Sequence, residues 1–200
     1  MIQAARDFVQ ALRPDDSLAL VLFADQVVFA HEFATNRQHT LDAIGQYHAT
    51  GGTALYDALQ ESLNRLKSVP GRRAVVVLTD GRDEDNPGTA PGSVATLHEV
   101  LDLVKQAGAA IFPLGLGTKV DRAPLEQLAQ VSGGQAYFPL DISVLKSQYA
   151  RVVENLRRRF VLSYTSTNGS RDGSWRGIEI RTRSSNAVVR SQAGYFAPDR

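Results

Sequence analysis

The chain has 200 residues, 43% of them hydrophobic and 22% charged, and shares so close to the ~45–50% and ~25% of ordinary soluble domains exclude a disordered or fibrous polypeptide. Two hundred residues make one large domain or two small ones, since domains commonly span ~100–200 residues. Twenty-two Lys and Arg against 21 Asp and Glu leave a net charge of +1, too weak a field to recruit nucleic acid or an anionic membrane, so binding specificity must be local.

Met1 to Asp7 lacks the basic-then-apolar order of a signal peptide. Ile2, Ala5, Val9 and Leu12 instead fall on one helical face, which Pro14-Asp15-Asp16 stops. Ser17 to Ala24 is short and β-rich, Asp25-Gln26 makes a tight turn and Val27 to Phe33 continues, so the two runs are expected to pair as a hairpin. A short helix around Leu41 to Tyr47 leads to Thr50-Gly51-Gly52-Thr53. From Ala54 a longer helix carries Leu55, Leu59, Leu63 and Leu66 inward and ends near Pro70-Gly71.

Ala74 to Leu78 is a continuous apolar run, which suits a strand buried on both faces of a parallel sheet. It ends at Thr79-Asp80-Gly81. A polar loop follows, then a helix with Val94, Leu97, Leu101 and Val104 inward, then a strand from Ala109 to Gly115. Asp121 is expected to cap a helix carrying Leu125 and Leu128, with Ser132-Gly133-Gly134 ending it in left-handed geometry. Gln135 to Phe138 reads as a short strand, and Ile142, Leu145, Tyr149, Val152, Val153 and Leu156 mark an amphipathic helix. After Arg159 the period changes to two: Phe160, Leu162 and Tyr164, then Ile178 and Ile180, then Val188-Val189 and Tyr195-Phe196 beyond a Ser184-Ser185-Asn186 turn. The expected division is a doubly wound, mostly parallel α/β body over residues 1–159 and an antiparallel β extension over 160–200, with Phe160, Leu162 and Tyr164 turned toward one face.

The absence of cysteine removes a disulfide scaffold, a zinc-thiolate centre, an iron–sulfur cluster and a cysteine nucleophile together. No apolar run approaches the ~18 residues of a membrane helix. In open parallel sheets ligands bind beyond the carboxyl ends of the strands, and Asp80 stands at such an end. Its carboxylate either holds a cation there or satisfies nearby amides as a turn aspartate. Thr53, directly before a helix, is either an N-cap or a second hard oxygen ligand, and Gly51 and Gly52 permit close backbone approach to it. Asp83-Glu84-Asp85-Asn86-Pro87-Gly88 fails as a calcium loop, because Pro87 and Val94 fall where ligands are needed, and reads as a solvated acidic loop. His98 and Asp102 read as a solvated pair, His31, His39 and His48 lack ligand spacing, and Arg157-Arg158-Arg159 suits a helix C-terminus. Neither a Gly-x-Ser-x-Gly elbow nor a Gly-x-x-x-x-Gly-Lys phosphate loop occurs.

Asp80 within Val75-Val76-Val77-Leu78-Thr79-Asp80-Gly81, with Gly51-Gly52-Thr53-Ala54-Leu55-Tyr56-Asp57-Ala58-Leu59 upstream, resembles the von Willebrand factor A domain. The likeness continues through Gly115-Leu116-Gly117-Thr118, Asp121, Gly133 to Phe138 and Tyr195-Phe196-Ala197-Pro198, most similar to a bacterial, acidobacterial-type branch whose members are often exported. The resemblance implies a Rossmann-like fold and an adhesion site binding Mg²⁺ through an Asp-x-Ser-x-Ser motif, a Thr and an Asp. Thr53 matches the Thr and Asp80 the last Asp, with Gly51, Gly52, Gly81, Arg82 and Asp83 as the ligand-binding rim. No Asp-x-Ser-x-Ser occurs in the sequence, so the implied metal site is incomplete. The family's first strand, central between the runs at Ser17 to Ala24 and Ala74 to Leu78, also has no counterpart, which implies an N-terminally truncated module. Unpaired backbone on two inner strands at ~1–3 kcal/mol per buried group would leave the chain marginally stable, unless those two strands pair directly or a strand is borrowed from another molecule.

Three functions follow. The first is a non-enzymatic, adhesion-type module that grips an acidic side chain of a partner protein through Mg²⁺ at Thr53 and Asp80. The second is a phosphotransfer or Mg²⁺-dependent enzyme using Asp80, although the strand end at Pro113 to Gly117 offers no lysine. The third is a scaffold whose β extension pairs with another domain.

Overall fold

A computed structural model describes residues 2–158, 160, 162–184, 186 and 188–199. The predicted elements of the body are present except the short strand expected at Gln135 to Phe138. Helix α1 (Ile2–Ala11) leads to strands β1 (Leu18–Phe23) and β2 (Val27–Ala34), which pair antiparallel with Phe23 opposite Val27. Helix α2 (Arg37–Gln46) starts four residues earlier than expected, because the Asn36 side chain accepts from the Gln38 amide and caps it. Helix α3 (Leu55–Leu66), strand β3 (Ala74–Thr79), helix α4 (Leu97–Ala107), strand β4 (Ala110–Gly115) and helix α5 (Arg122–Ser132) follow. Strands β3 and β4 run parallel, in register from Ala74 opposite Ala110 to Thr79 opposite Gly115. A 3₁₀ turn at Ile142–Val144 feeds helix α6 (Leu145–Arg157).

Period-two alternation places the two sides of the central strands against two helical layers. Val75, Val77 and Ile111 point into one core with Leu55, Leu59 and Leu63 of α3, Val100 and Val104 of α4, and Leu125 and Leu128 of α5. Phe112 and Leu114 point into the other, with Phe8 and Val9 of α1, Leu41 and Ile44 of α2, and Leu145, Tyr149 and Val152 of α6. This is a doubly wound α/β architecture, as the sequence pattern predicts.

Several local expectations are corrected. Val94 is 94% exposed and lies outside α4. A capping box decides the boundary: the Thr96 side chain accepts from the Glu99 amide while the Glu99 carboxylate accepts from the Thr96 amide. Thr96→Ala is expected to cost about 1 kcal/mol in chemical denaturation. Asp121 occupies the N-cap of α5 without a side-chain capping bond, and Ile142 is exposed in the 3₁₀ turn rather than inward on α6. Gln135 to Phe138 forms one bridge, Tyr137 to Leu114, and not a strand. Gly133 ends α5 at φ 71°, as expected, and Gly134 packs so closely that a Cβ there would lie 1.8 Å from the Ile111 carbonyl oxygen.

In the tail, β5 (Trp175–Gly177) pairs antiparallel with β6 (Gly194–Phe196), three residues each. The pair is strapped to the body: the Ala193 amide donates to the Val131 carbonyl at 3.3 Å, and Gln192 donates to the Lys105 carbonyl at 3.1 Å. Phe160, Leu162, Val188 and Val189 are exposed and outside any strand, and Tyr164 is exposed apart from an edge contact with Tyr195. Alternation without a ladder partner does not by itself make a strand. Arg159, Ser185 and Arg200 lie outside the described residues.

The strands do not form one continuous sheet. Among the described residues, β1 pairs only with β2 and β3 only with β4, leaving one edge of β1 and one of β3 without a ladder.

Candidate functional site

The site is built where chain reversals at the carboxyl end of the sheet press against one another. β3 ends in Thr79, whose buried hydroxyl donates to the Gly81 carbonyl and accepts from the Gly81 amide, a local turn that turns Asp80 out to solvent. The Thr79 carbonyl accepts from the Leu116 amide at 2.8 Å, tying this turn to the end of β4.

Thr53 reaches the same place from the loop before α3. Its amide donates to the Glu84 carbonyl at 2.8 Å, and its hydroxyl oxygen stands 3.2 Å from where a Cβ on Gly81 would be. The Thr53 hydroxyl is therefore beside the Asp80-Gly81 peptide. Two glycines make the crossing possible: a Cβ on Gly52 would lie 2.5 Å from the Glu84 carbonyl oxygen, and one on Gly92 would lie 2.3 Å from the Thr53 carbonyl oxygen. Gly51, at φ 85°, brings the loop against Asp25 in the β1–β2 turn, whose carboxylate would lie 2.9 Å from a Cβ there. The Ala54 amide donates to the Ala24 carbonyl at 2.6 Å, so the carboxyl ends of β1 and β3 converge on residues 53–54.

The predicted acidic loop is not simply solvated. Asp83 is half-buried and accepts from the amides of Leu55 at 2.8 Å, Tyr56 at 3.3 Å and Ser93 at 3.2 Å, and from the Ser93 hydroxyl. It caps α3 from 28 residues away. Thr53 does not, because the N-cap is Ala54, which makes no side-chain capping bond. Ser93 adds a hydroxyl acceptor for the amides of Tyr56 and Asp57, while the Asp57 carboxylate accepts from the amides of Val94 at 3.0 Å and Ala95 at 2.7 Å. Asp85 accepts from the amides of Ala90, Thr89 and Gly88, the Ala90 bond foremost among those holding its carboxyl below the ordinary carboxylate range. Burial, then the negative charges of Asp83 and Asp121, push the Tyr56 phenol up.

Of the predicted rim, Gly51 and Gly52 line a recess of about 380 Å³ together with Asp25, Asp85, Asn86 and Gly92. Arg82 is exposed and is not among the residues that line the recess, and Asp83 is turned into α3. Asp25, Asp57, Gly92 and Ser93 were missed; Asp57 in the first turn of a helix was the one available cue, and it serves the neighbouring loop.

The donor set falls short of a metal centre. Thr53 and Asp80 supply two hard oxygens, and among the described residues no three His, Asp or Glu side chains converge as metal ligands would. Elsewhere, His98 meets Asp102 at 3.5 Å on an exposed helix face, Arg157 donates to the Ala11 carbonyl and Arg158 pairs with Glu154, all structural or solvated roles. No helix among the described residues is long and apolar enough to cross a membrane.

Known proteins are similar to this chain in sequence and fold. The chain is 25% identical to a UPF0353 protein of Mycolicibacterium paratuberculosis over 77% of its own length and 52% of that protein, and 26% identical to UPF0353 protein MAV335 of Mycobacterium avium over the same shares. It thus spans about half the length of the curated relatives it matches. Among solved structures, a von Willebrand factor type A protein from Catenulispora acidiphila superposes with a TM-score of 0.65 at 18% identity, covering 78% of this chain and 38% of that one. Proximal thread matrix protein 1 from the mussel byssus, with a zinc-occupied MIDAS motif, gives 0.61 at 22% identity, covering 78% and 39%. The von Willebrand factor type A domain itself matches residues 1–151, and the chain belongs to that family.

Proposed function

We propose that the chain is a non-enzymatic protein-interaction module that receives an acidic side chain of a partner protein at the carboxyl-end rim. The observation that carries this reading is the crossing at Thr53: its hydroxyl abuts Gly81 beside exposed Asp80, on a rim braced by Asp83, Ser93 and Asp57. A braced rim loses little entropy on binding, which favours recognition over a mobile loop. Thr53 offers a hydroxyl donor and Arg82 a guanidinium that suits a carboxylate. Gly51 and Gly52 line the recess beside this crossing.

Magnesium is the ion the family implies, and Thr53 with Asp80 would be its ligands here. Two donors do not close a magnesium site, so recognition in this chain rests on its own side chains and backbone. Added Mg²⁺ should not measurably raise the melting temperature. Calorimetry with a Glu-containing peptide should show binding that survives EDTA and weakens about tenfold, or about 1.4 kcal/mol, in Arg82→Ala and in Thr53→Ala. Peptide binding indifferent to both substitutions, or lost entirely in EDTA, would overturn this reading.

A further inference from the structure

Ahead of β5 a largely exposed stretch of chain is organised by one guanidinium. Arg176 in β5, whose side chain is only 11% exposed, donates to the Asn168 carbonyl at 2.7 Å, to the Ser170 carbonyl at 2.7 Å and to Asp172 at 3.4 Å. The Ser166 hydroxyl donates to the same Asn168 carbonyl at 3.2 Å and accepts from the Asn168 amide at 3.3 Å. The Asn168 side chain is held as well: its Oδ1 accepts from the Ser170 amide at 3.1 Å. The ring that this bond closes contains both the Asn168 Cγ and the Gly169 nitrogen, so the side-chain amide is folded over the peptide bond that follows it.

These contacts act on one pair of atoms. The carbonyl that Arg176 and Ser166 bind belongs to the peptide bond of the Gly169 nitrogen, and drawing charge onto that oxygen eases loss of the nitrogen's proton. The Ser170 amide draws charge onto Oδ1 in the same way, leaving Cγ more open to attack. Gly169 supplies an unhindered nucleophile: it is exposed, and nothing lies within 4 Å of where a Cβ would stand. The other asparagines lack this combination. Asn86 precedes Pro87, which has no N–H, and Asn64 and Asn155 lie inside α3 and α6 ahead of Arg65 and Leu156. Asn36 precedes Arg37, and Asn186 precedes Ala187.

We propose that Asn168-Gly169 is a self-modification site, at which the chain converts its own asparagine to isoaspartate. The Gly169 nitrogen, giving up its proton, forms a bond to the Asn168 Cγ, and the Cγ–Nδ2 bond breaks to release ammonia, which carries that proton away. Water then adds to the ring imide at the Asn168 α-carbonyl carbon. The bond from that carbon to the Gly169 nitrogen breaks, the nitrogen regains a proton and the water oxygen stays on the carbon as part of a carboxylate. Water is the only co-reactant. Arg176 and Ser166 polarise this carbonyl rather than the one at Cγ, so the ring opens there. The new α-carboxylate stands at the oxygen that Arg176 already binds, and a guanidinium holds a carboxylate more strongly than a carbonyl. The site shares no residue with the rim.

The test follows the folded full chain and the same chain in guanidinium chloride over time, at one near-neutral pH, by peptide mass mapping. Asn168 is expected to gain the mass difference between an amide and an acid about tenfold faster in the folded chain, which is about 1.4 kcal/mol in the barrier. The ratio of isoaspartate to aspartate at that position, read by electron-transfer fragmentation, should also be higher from the folded chain. Arg176→Gln should bring both the rate and the ratio to the denatured values. Emission from Trp175, the one tryptophan of the chain, reports whether the variant keeps the β5–β6 pair. Where it does not, Ser166→Ala serves in its place and is expected to lose part of both effects. A folded chain that converts Asn168 no faster than the denatured one would overturn the proposal. So would Arg176→Gln with native Trp175 emission, or Ser166→Ala, if either kept the wild-type rate and ratio.

Discussion

Asp83→Ala should lower the stability of the chain by about 3 kcal/mol, the sum of a lost helix cap at ~1–2 kcal/mol and donors left half-buried without an acceptor at ~1–3 kcal/mol. The carboxylate receives three amides and a hydroxyl from α3 and from the loop carrying Ser93, and Thr53 offers α3 no substitute cap. Asp83→Asn retains one acceptor oxygen and should lose less than half as much. Denaturant titration measures both, and hydrogen exchange at Leu55 and Tyr56 locates the effect. If Asp83→Ala melts with wild type and those amides stay protected, the half-buried carboxylate does not brace α3 and the rim account fails. The same substitution should weaken binding of an acidic peptide even though an acidic group has been removed, because the start of α3, which follows Thr53, loses its anchor to the Ser93 loop.

How legible this was depends on the range of the interaction. The run Ala74 to Leu78 could be read as an inner strand because composition alone carries that information, and the Asp80 turn follows from where the run ends. The apolar period starts α4 three residues early, at Val94, while the capping box at Thr96 and Glu99 overrules it. Capping of α3 by Asp83 has no such local trace: 28 residues separate donor and acceptor, and only the fold brings them together. The alternating tail around Phe160 to Tyr164 was read as strand because period two was its only message, and whether a partner edge exists is a tertiary fact. The separation of β1 from β3 was legible in part, since no segment offered an inner strand between them. Which side chains stay half-buried as a result was not.

Gly52→Ala and Gly92→Ala should each cost about 3 kcal/mol or more, at the upper end of the ~1–3 kcal/mol typical of overpacking, because the obstacle is backbone rather than a side chain that can swing aside. A Cβ on Gly52 meets the Glu84 carbonyl oxygen at 2.5 Å and the Asp85 Cα at 2.9 Å; one on Gly92 meets the Thr53 carbonyl oxygen at 2.3 Å and that of Glu84 at 2.8 Å. Both substitutions press on the same pair of chain segments, those joined by the Thr53–Glu84 bridge. Gly71 separates this steric effect from ordinary glycine conformational strain. It sits at φ 87° with nothing within 4 Å of a Cβ, so Gly71→Ala reports only the positive-φ cost of ~1–2 kcal/mol. If Gly52→Ala and Gly92→Ala cost no more than Gly71→Ala, the three loops do not close on one another as tightly as the bridge requires. If they cost more and also abolish acidic-peptide binding, while Gly71→Ala leaves binding intact, the crossing at Thr53 is the feature that assembles the rim. The double substitution should then cost less than the sum of the two, since the first wedge already opens the contact that the second would break.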